Sequence, residues 1–204
     1  MTDPEESPES SSLPVADVEP DEVAPRLRHR SLLLLLLVAA GAIALDRLAK
    51  YWVVSTIQPR IESGEGPIVL FGGLLKFTYV ENTGAAFSLG SGYTWIFSII
   101  AVVVTIVVLR SSRRLGSLWW AVALGGLLGG ALGNLIDRLT RDPSPGLGYV
   151  VDFIQLPNFA VFNVADIFIV GSAILMVLLS LKGVAFSGAM GAGGTSAAPR
   201  GNGS

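Results

Sequence analysis

The sequence predicts an all-α membrane protein built on four transmembrane helices, with a few short strands outside the membrane. Three observations predict it. Hydrophobic residues fill 51% of the 204 positions and charged residues only 15%, giving a mean hydropathy of +0.61. The apolar residues fall into four blocks, about 31–54, 93–109, 115–138 and 161–181. Each approaches the ~20 residues that a spanning helix requires. Charge is segregated as well: beyond residue 22, no acidic residue falls in the middle of a block.

Residues 1–25 are rich in Pro, Ser, Glu and Asp. Such a segment buries too little apolar surface to offset its ordering entropy, so it is expected to be disordered. The first block has a basic flank (Arg26, Arg28, Arg30) and a leucine-rich core, as a cleaved signal peptide would. Asp46, Arg47 and Lys50 follow without a small-residue cleavage site, which favours a retained helix. The stretch 54–92 is too long for a simple turn. Its runs 68–71 and 75–80, broken by Gly72-Gly73, are expected to form short strands. Helices two and three are joined by a tight turn holding Arg110, Arg113 and Arg114. In helix three, Gly125, Gly129 and Gly133 form one small-residue ridge and Gly126, Gly130 and Asn134 a second; ridges of this kind let helix backbones approach closely. A loop over about 140–160 precedes helix four, and 185–204, rich in Gly, Ala and Ser, is expected to be a flexible tail. The four-helix body is therefore 26–184.

The net charge of −2 hides an asymmetry. Eight of the sixteen acids fall in residues 3–22; the remaining 182 residues carry eight acids and fourteen bases. With four spans, the N-terminal arginines, the turn at 110–114 and Lys182 share one side, which the positive-inside rule makes cytoplasmic, with both termini. The other eight acids then lie toward the opposite side. No basic stripe interleaved with aromatics is present, so no nucleic-acid partner is expected. Absence of Cys excludes disulfides, thiolate metal sites and a cysteine nucleophile, and a lone His29 builds neither a histidine-rich metal site nor a Ser-His triad.

Asp152 in VVDFI (150–154) and Asp166 in FNVAD (162–166) carry the chemistry. An acid beside hydrocarbon is costly and marks a functional site. A pair splits its pKa values into an acid and a base able to activate water. Asp152, flanked by Val150-Val151 and Phe153-Ile154, sits on a strand or helix edge against the membrane, or on a strand that turns it to water. Asn163 is placed to N-cap helix four, with Asp166 at N3, where a dipole-favoured acid would also fall. Asp46 and Lys50 share a helix face, either as an interfacial ion pair with Lys50 snorkelling or as part of a site. Asn134, Asp137 and Arg138 line one face, and Asp137 and Arg138 are alternatively a structural salt bridge at the helix end.

DRLAK (46–50), VENTGAAFS (80–88), GGALGNLIDRL (129–139), VVDFI and FNVADIFI (162–169), in this order on four spans, resemble the lipoprotein signal peptidase (signal peptidase II) family over about residues 32–182. The resemblance implies a bacterial inner-membrane aspartyl endopeptidase. Its substrate would be a prolipoprotein, cut just before a cysteine that already bears diacylglycerol. It implies a small extracytoplasmic β-cradle, over about 58–90, and a catalytic pair at Asp152 and Asp166. The other family positions fall on Asp46, Lys50, Asn82, Gly84, Asn134, Asp137, Arg138, Asn163 and Ala165. Asn134, Asn163 and Arg138 would orient the dyad or the substrate backbone, and Asp46, Lys50 and Asn82 would bound the pocket. No metal or cofactor is required, membrane lipid surrounds the site, and a monomer is expected. Two departures are the insertion at 140–148 (TRDPSPGLG) and the acidic N-terminal tail. A proton relay of a transporter or channel would instead distribute ionisable groups along the membrane depth, and a purely structural membrane protein would leave the clustered Asn and Asp residues unexplained.

Overall fold

The computed structural model describes residues 20–84 and 94–187. Its helices are α1 (Pro20–Trp52), α2 (Gln58–Glu62), α3 (Thr94–Ser111), α4 (Leu118–Thr140) and α5 (Val164–Leu181), and its strands β1 (Ile68–Leu70), β2 (Leu75–Asn82) and β3 (Val150–Gln155). Four helical segments are long and apolar enough to cross a membrane: Arg28–Glu62, Thr94–Arg114, Leu118–Thr140 and Val164–Leu181. Residues 1–19, most of the segment expected to be disordered, lie outside the described residues, while α1 already begins at Pro20. Of the tail 185–204, residues 188–204 also lie outside. Phe186, in contrast, is packed edge-on against Trp120 at 5.4 Å, and its carbonyl accepts from the Gly116 and Ser117 amides at 3.1 and 3.2 Å.

The first span outlasts the bilayer. Its 35 residues reach about 52 Å at 1.5 Å per residue, against a ~30 Å hydrocarbon core. The excess is folded into a π-helical turn, Val53–Ile57, and then α2, whose Pro59 stands in the first turn where its missing N–H goes unneeded. Val53 and Ile57 are fully buried against Val151 and Phe153 of β3. The outer end of α1 thus seats the sheet.

α4 is the hub, packing on α1, α5 and α3. The two glycine ridges face different neighbours. A Cβ on Gly129 would meet the Ala39 carbonyl oxygen at 2.7 Å and Ala42 at 2.6 Å; one on Gly130 would meet the Ala165 carbonyl oxygen at 2.5 Å and Ile169 at 2.8 Å. One ridge therefore admits α1 and the other α5. Apolar burial drives helix association little where lipid is equally apolar, so this close backbone contact is the main source of specificity. Leu33, Leu37, Ile99, Val103, Ile174 and Val177 point outward, more than half exposed or nearly so, as a lipid-facing surface demands.

The sheet is antiparallel, ordered β1-β2-β3. β1 and β2 form a hairpin through Phe71, Gly72 and Gly73, all at positive φ (51°, 66° and 101°), where the two glycines adopt the left-handed region without strain. VVDFI is a strand, which resolves the choice between strand and helix edge. Its pairing with β2 sets Val80 opposite Asp152 and Asn82 opposite Val150, beyond a bulge between Phe77 and Val80.

Candidate active site

Each candidate side chain lining the site owes its place to one of four elements meeting at the same end of the bundle. β3 supplies Asp152, 2% exposed. The start of α5 supplies Asn163 and Asp166 through a capping box: the Asn163 Oδ1 accepts from the Asp166 amide at 3.0 Å, and the Asp166 Oδ2 accepts from the Asn163 amide at 3.1 Å. Asn163 is thus both the helix cap and the link between the acids, because its Nδ2 donates to the Asp152 Oδ1 at 2.6 Å. The last turns of α4 supply Asn134, whose Nδ2 donates to the Asp166 Oδ1 at 2.8 Å. Asn82, ending β2, donates to the Asp152 Oδ2 at 2.7 Å, and its own Oδ1 accepts from the Gly84 amide at 3.0 Å.

Both carboxylates line one cavity of about 780 Å³, together with Asn82, Gly84, Asn134, Arg138 and Asn163. Away from these groups the wall is apolar, formed by Ile100 and Val104 of α3, Leu127 and Ala131 of α4, and Val170 and Ile174 of α5. Burial, followed by the nearby Asp166 carboxylate, pushes the Asp152 carboxyl up to about 7; hydrogen bonds from Asn82 and Asn163 and the charge of Lys50 oppose the rise. Asp152 therefore holds a proton at pH values where an ordinary aspartate does not.

A second, charged layer lies behind the pair. Lys50, only 1% exposed, contacts the Asp46 Oδ2 at 2.8 Å, the Asp137 Oδ2 at 2.7 Å and the Asn134 Oδ1 at 3.1 Å. The ion pair with Asp46 is present, but the ammonium is buried inside the bundle rather than snorkelling outward. Asp46 spends its other oxygen on the Ala165 amide at 3.1 Å, fastening the start of α5 to α1. Ala165 is itself fully buried, its Cβ lying 3.3 Å from where a Cβ on Gly133 would stand. Among the described residues Asp137 does not bridge to Arg138. It pairs with Lys50, Arg47 and Arg141 and accepts from the Val151 amide at 3.3 Å. Consecutive helix positions point about 100° apart, so Arg138 turns instead to the cavity, its guanidinium 5.2 Å from the centre of the Phe97 ring and its Nη1 buried without a hydrogen-bond partner among the described residues.

All eleven positions singled out in the sequence thus meet at one end of the bundle, but in two layers. Asp152, Asp166, Asn82, Gly84, Asn134, Arg138 and Asn163 line the cavity, whereas Asp46, Lys50, Asp137 and Ala165 stand behind it. Arg47 and Arg141 belong to the rear layer and were not anticipated. The i,i+4 spacing of Asp137 and Arg141 was the available signal for the second; the first needed the pairing of α1 with α4. Residues 85–88 of the VENTGAAFS run lie outside the described residues.

The signal peptidase (SPase) II family model matches residues 38–182. The chain is 45% identical over 186 residues to a lipoprotein signal peptidase of Mycolicibacterium smegmatis, covering 91% of this chain and 76% of that one. It is also 45% identical over 173 residues to that of Mycobacterium avium, covering 85% and 90%. Two solved bacterial membrane enzyme structures align with TM-scores of 0.61 and 0.60 at 29% and 30% identity, each over 72% of this chain and over 87% and 92% of theirs. With a family match across 38–182 and relatives this similar over most of their length, the chain belongs to the signal peptidase II family.

Proposed function

We propose that this chain is an intramembrane aspartyl endopeptidase that removes the signal peptide from diacylglyceryl-modified prolipoproteins, cutting just before the lipidated cysteine, with Asp152 and Asp166 as the catalytic pair. The observation that carries the reading is the arrangement around Asn163: its side-chain Nδ2 donates to the Asp152 carboxylate and its backbone amide to the Asp166 carboxylate, and both carboxylates open onto the same largely apolar cavity. The pair shares a proton and titrates as a unit. Its ionised member takes a proton from water as the water oxygen attacks the scissile carbonyl carbon. Its protonated member donates to the carbonyl oxygen. The roles then exchange, the amine of the cysteine leaving with a proton as the carbon–nitrogen bond breaks. Asn134, Asn82 and Asn163 hold the carboxylates, and the unpartnered Nη1 of Arg138 is available to a substrate carbonyl. The acyl chains lie along the apolar wall between α3 and α5, where each buried methylene contributes about 0.8 kcal/mol. The dyad end of the bundle faces outward and both termini face the cytoplasm.

The test is turnover of a lipidated precursor by purified variants, with thermal unfolding as the control for folding. Asp152→Asn and Asp166→Asn each keep the shape but neither take nor give the shared proton, so each should lose turnover by at least the ~10²–10⁴-fold ascribed to acid–base catalysis. A folded Asp152→Asn protein with near-normal turnover would refute the assignment. Equal turnover of lipidated and bare precursors would refute the role of the apolar wall.

A further inference from the structure

A second cavity, of about 560 Å³, adjoins the first and shares Leu156 and Phe159 with it. Its character is different. Lys76 of β2, Gln155 at the end of β3 and Asn158 in the turn that follows all line it. Lys76 and Gln155 are register partners across the two strands. Among the described residues Lys76 enters no ion pair, and the side chains of Lys76, Gln155 and Asn158 make no hydrogen bond within the protein. Lys76 is nonetheless half-buried. An ammonium with three donors and two amides thus converge without partners on one groove, a donor-rich surface suited to a carboxylate and to peptide carbonyls.

We infer that this groove receives the polypeptide on the far side of the cut, and that Lys76 selects an acidic side chain about three residues beyond the modified cysteine. The inference rests on the peptidase reading above. Gln155 lies three residues along β3 from Asp152, about 10 Å at 3.3–3.4 Å per residue. An extended substrate leaving the dyad beside that strand spans the same distance in three residues. The direction follows from the bundle. The segment before the cut is apolar and lies in the bilayer beside the helices, whereas the segment after it must leave past the end of the bundle, where the sheet is seated on Val53 and Ile57. The shared wall at Leu156 and Phe159 makes the groove the continuation of the catalytic cavity in that direction.

The experiment uses the full chain and three lipidated precursors that differ only at the third residue after the cysteine: Asp, Asn or Lys. The expected result is a kcat/KM several-fold to tenfold higher for Asp than for Lys with the unaltered protein. Lys76→Gln should bring the two together and Lys76→Glu should reverse their order. Moving the acid to the seventh residue should abolish the preference. An Asp-to-Lys ratio that stays the same in Lys76→Gln overturns the inference. So does a Lys76→Gln effect seen only in vesicles containing phosphatidylglycerol and absent in neutral ones, which would assign the groove to lipid phosphate. If no lipidated precursor is cut by the unaltered protein, the peptidase reading itself fails; if the Asn precursor is cut but no charge preference appears, only the groove assignment fails.

Discussion

Asp137→Asn tests whether the rear charged layer holds the site in place. Asp137 is fully buried and serves three cations, Lys50, Arg47 and Arg141, while also accepting from the amide of Val151, the residue before Asp152. With Asp46 the cluster holds two carboxylates against three cations, a net charge of +1; the substitution raises it to +2. Removing one partner of a buried ion pair costs about 3–5 kcal/mol, because the remaining charge is left uncompensated. An amide oxygen still accepts, and Lys50 keeps Asp46, so the lower end, about 3 kcal/mol, is expected. At 2–4 °C per kcal/mol for a chain of this size, the melting temperature should fall by roughly 6–12 °C. Turnover should fall too, since the start of β3 loses its anchor, but it should not vanish, because the dyad keeps both carboxylates. Adding Arg141→Gln restores the net charge to +1 at a partly exposed position, and the double variant should recover part of the lost stability. The assay is thermal unfolding of purified single and double variants beside turnover of lipidated precursor. An unchanged melting temperature for Asp137→Asn, or a double variant less stable than the single by the full cost of Arg141→Gln alone, would refute the reasoning.

Gly130→Ala should lower both stability, by about 1–3 kcal/mol, and turnover, because its methyl would press on the Ala165 carbonyl and Ile169 of the helix that carries Asp166, whereas Gly41→Ala, with nothing within 4 Å, should change neither beyond its helix propensity; melting and turnover of the two variants side by side decide it. For topology, the cysteine-free chain allows single labels: Ser63→Cys should react with an impermeant thiol reagent in intact cells and Arg113→Cys, at the exposed turn between α3 and α4, should react only after permeabilisation, and the opposite pattern would invert the site in the membrane. The pH dependence follows from Asp152, whose pKa of about 7 in the folded protein stands well above that of an ordinary aspartate: the folded state binds the proton more tightly, so its contribution to stability is complete below about pH 4 and is lost as pH rises toward 7. Melting curves across that range should show the decline, flattened in Asp152→Asn, and turnover should fall above about pH 7 as the dyad gives up its shared proton.

The helices and the spacing relations within them were legible because their signals are local. Four apolar blocks announce four spans, glycine at every fourth position announces a ridge, and Asn163 three residues before Asp166 announces a capping box. What was not legible depended on contacts between distant segments. VVDFI became a strand by pairing with β2, about 70 residues earlier, and its register alone sets Asp152 beside Asn82. The same holds for Lys50: spacing relates it to Asp46, but only the approach of α1 to α4 along Gly129 and Gly133 brings Asp137 and Asn134 to its ammonium. Adjacency in sequence misled at Asp137 and Arg138, where neighbouring helix positions face a charged cluster and a cavity respectively.

The four aspartates of this end of the bundle divide by the charge of their donors. Asp46 and Asp137 are met by Lys50, Arg47 and Arg141, cations that pair with the carboxylates and fix them as structural acceptors. The side chains that donate to Asp152 and Asp166 belong to Asn82, Asn134 and Asn163, neutral amides that satisfy oxygen lone pairs and hold geometry while leaving the proton shared. Had cations taken those positions, both carboxylates would be locked ionised and the pair would lack its acid. Asn134 stands where the two regimes meet: its oxygen accepts from Lys50 and Asn163 while its nitrogen donates to Asp166. It therefore stands between the ammonium and the dyad, one side chain bonded to both. In the proposed mechanism, segregating cations to the rear and amides to the cavity leaves Asp152 and Asp166 for proton transfer while Asp46 and Asp137 stay paired with charge.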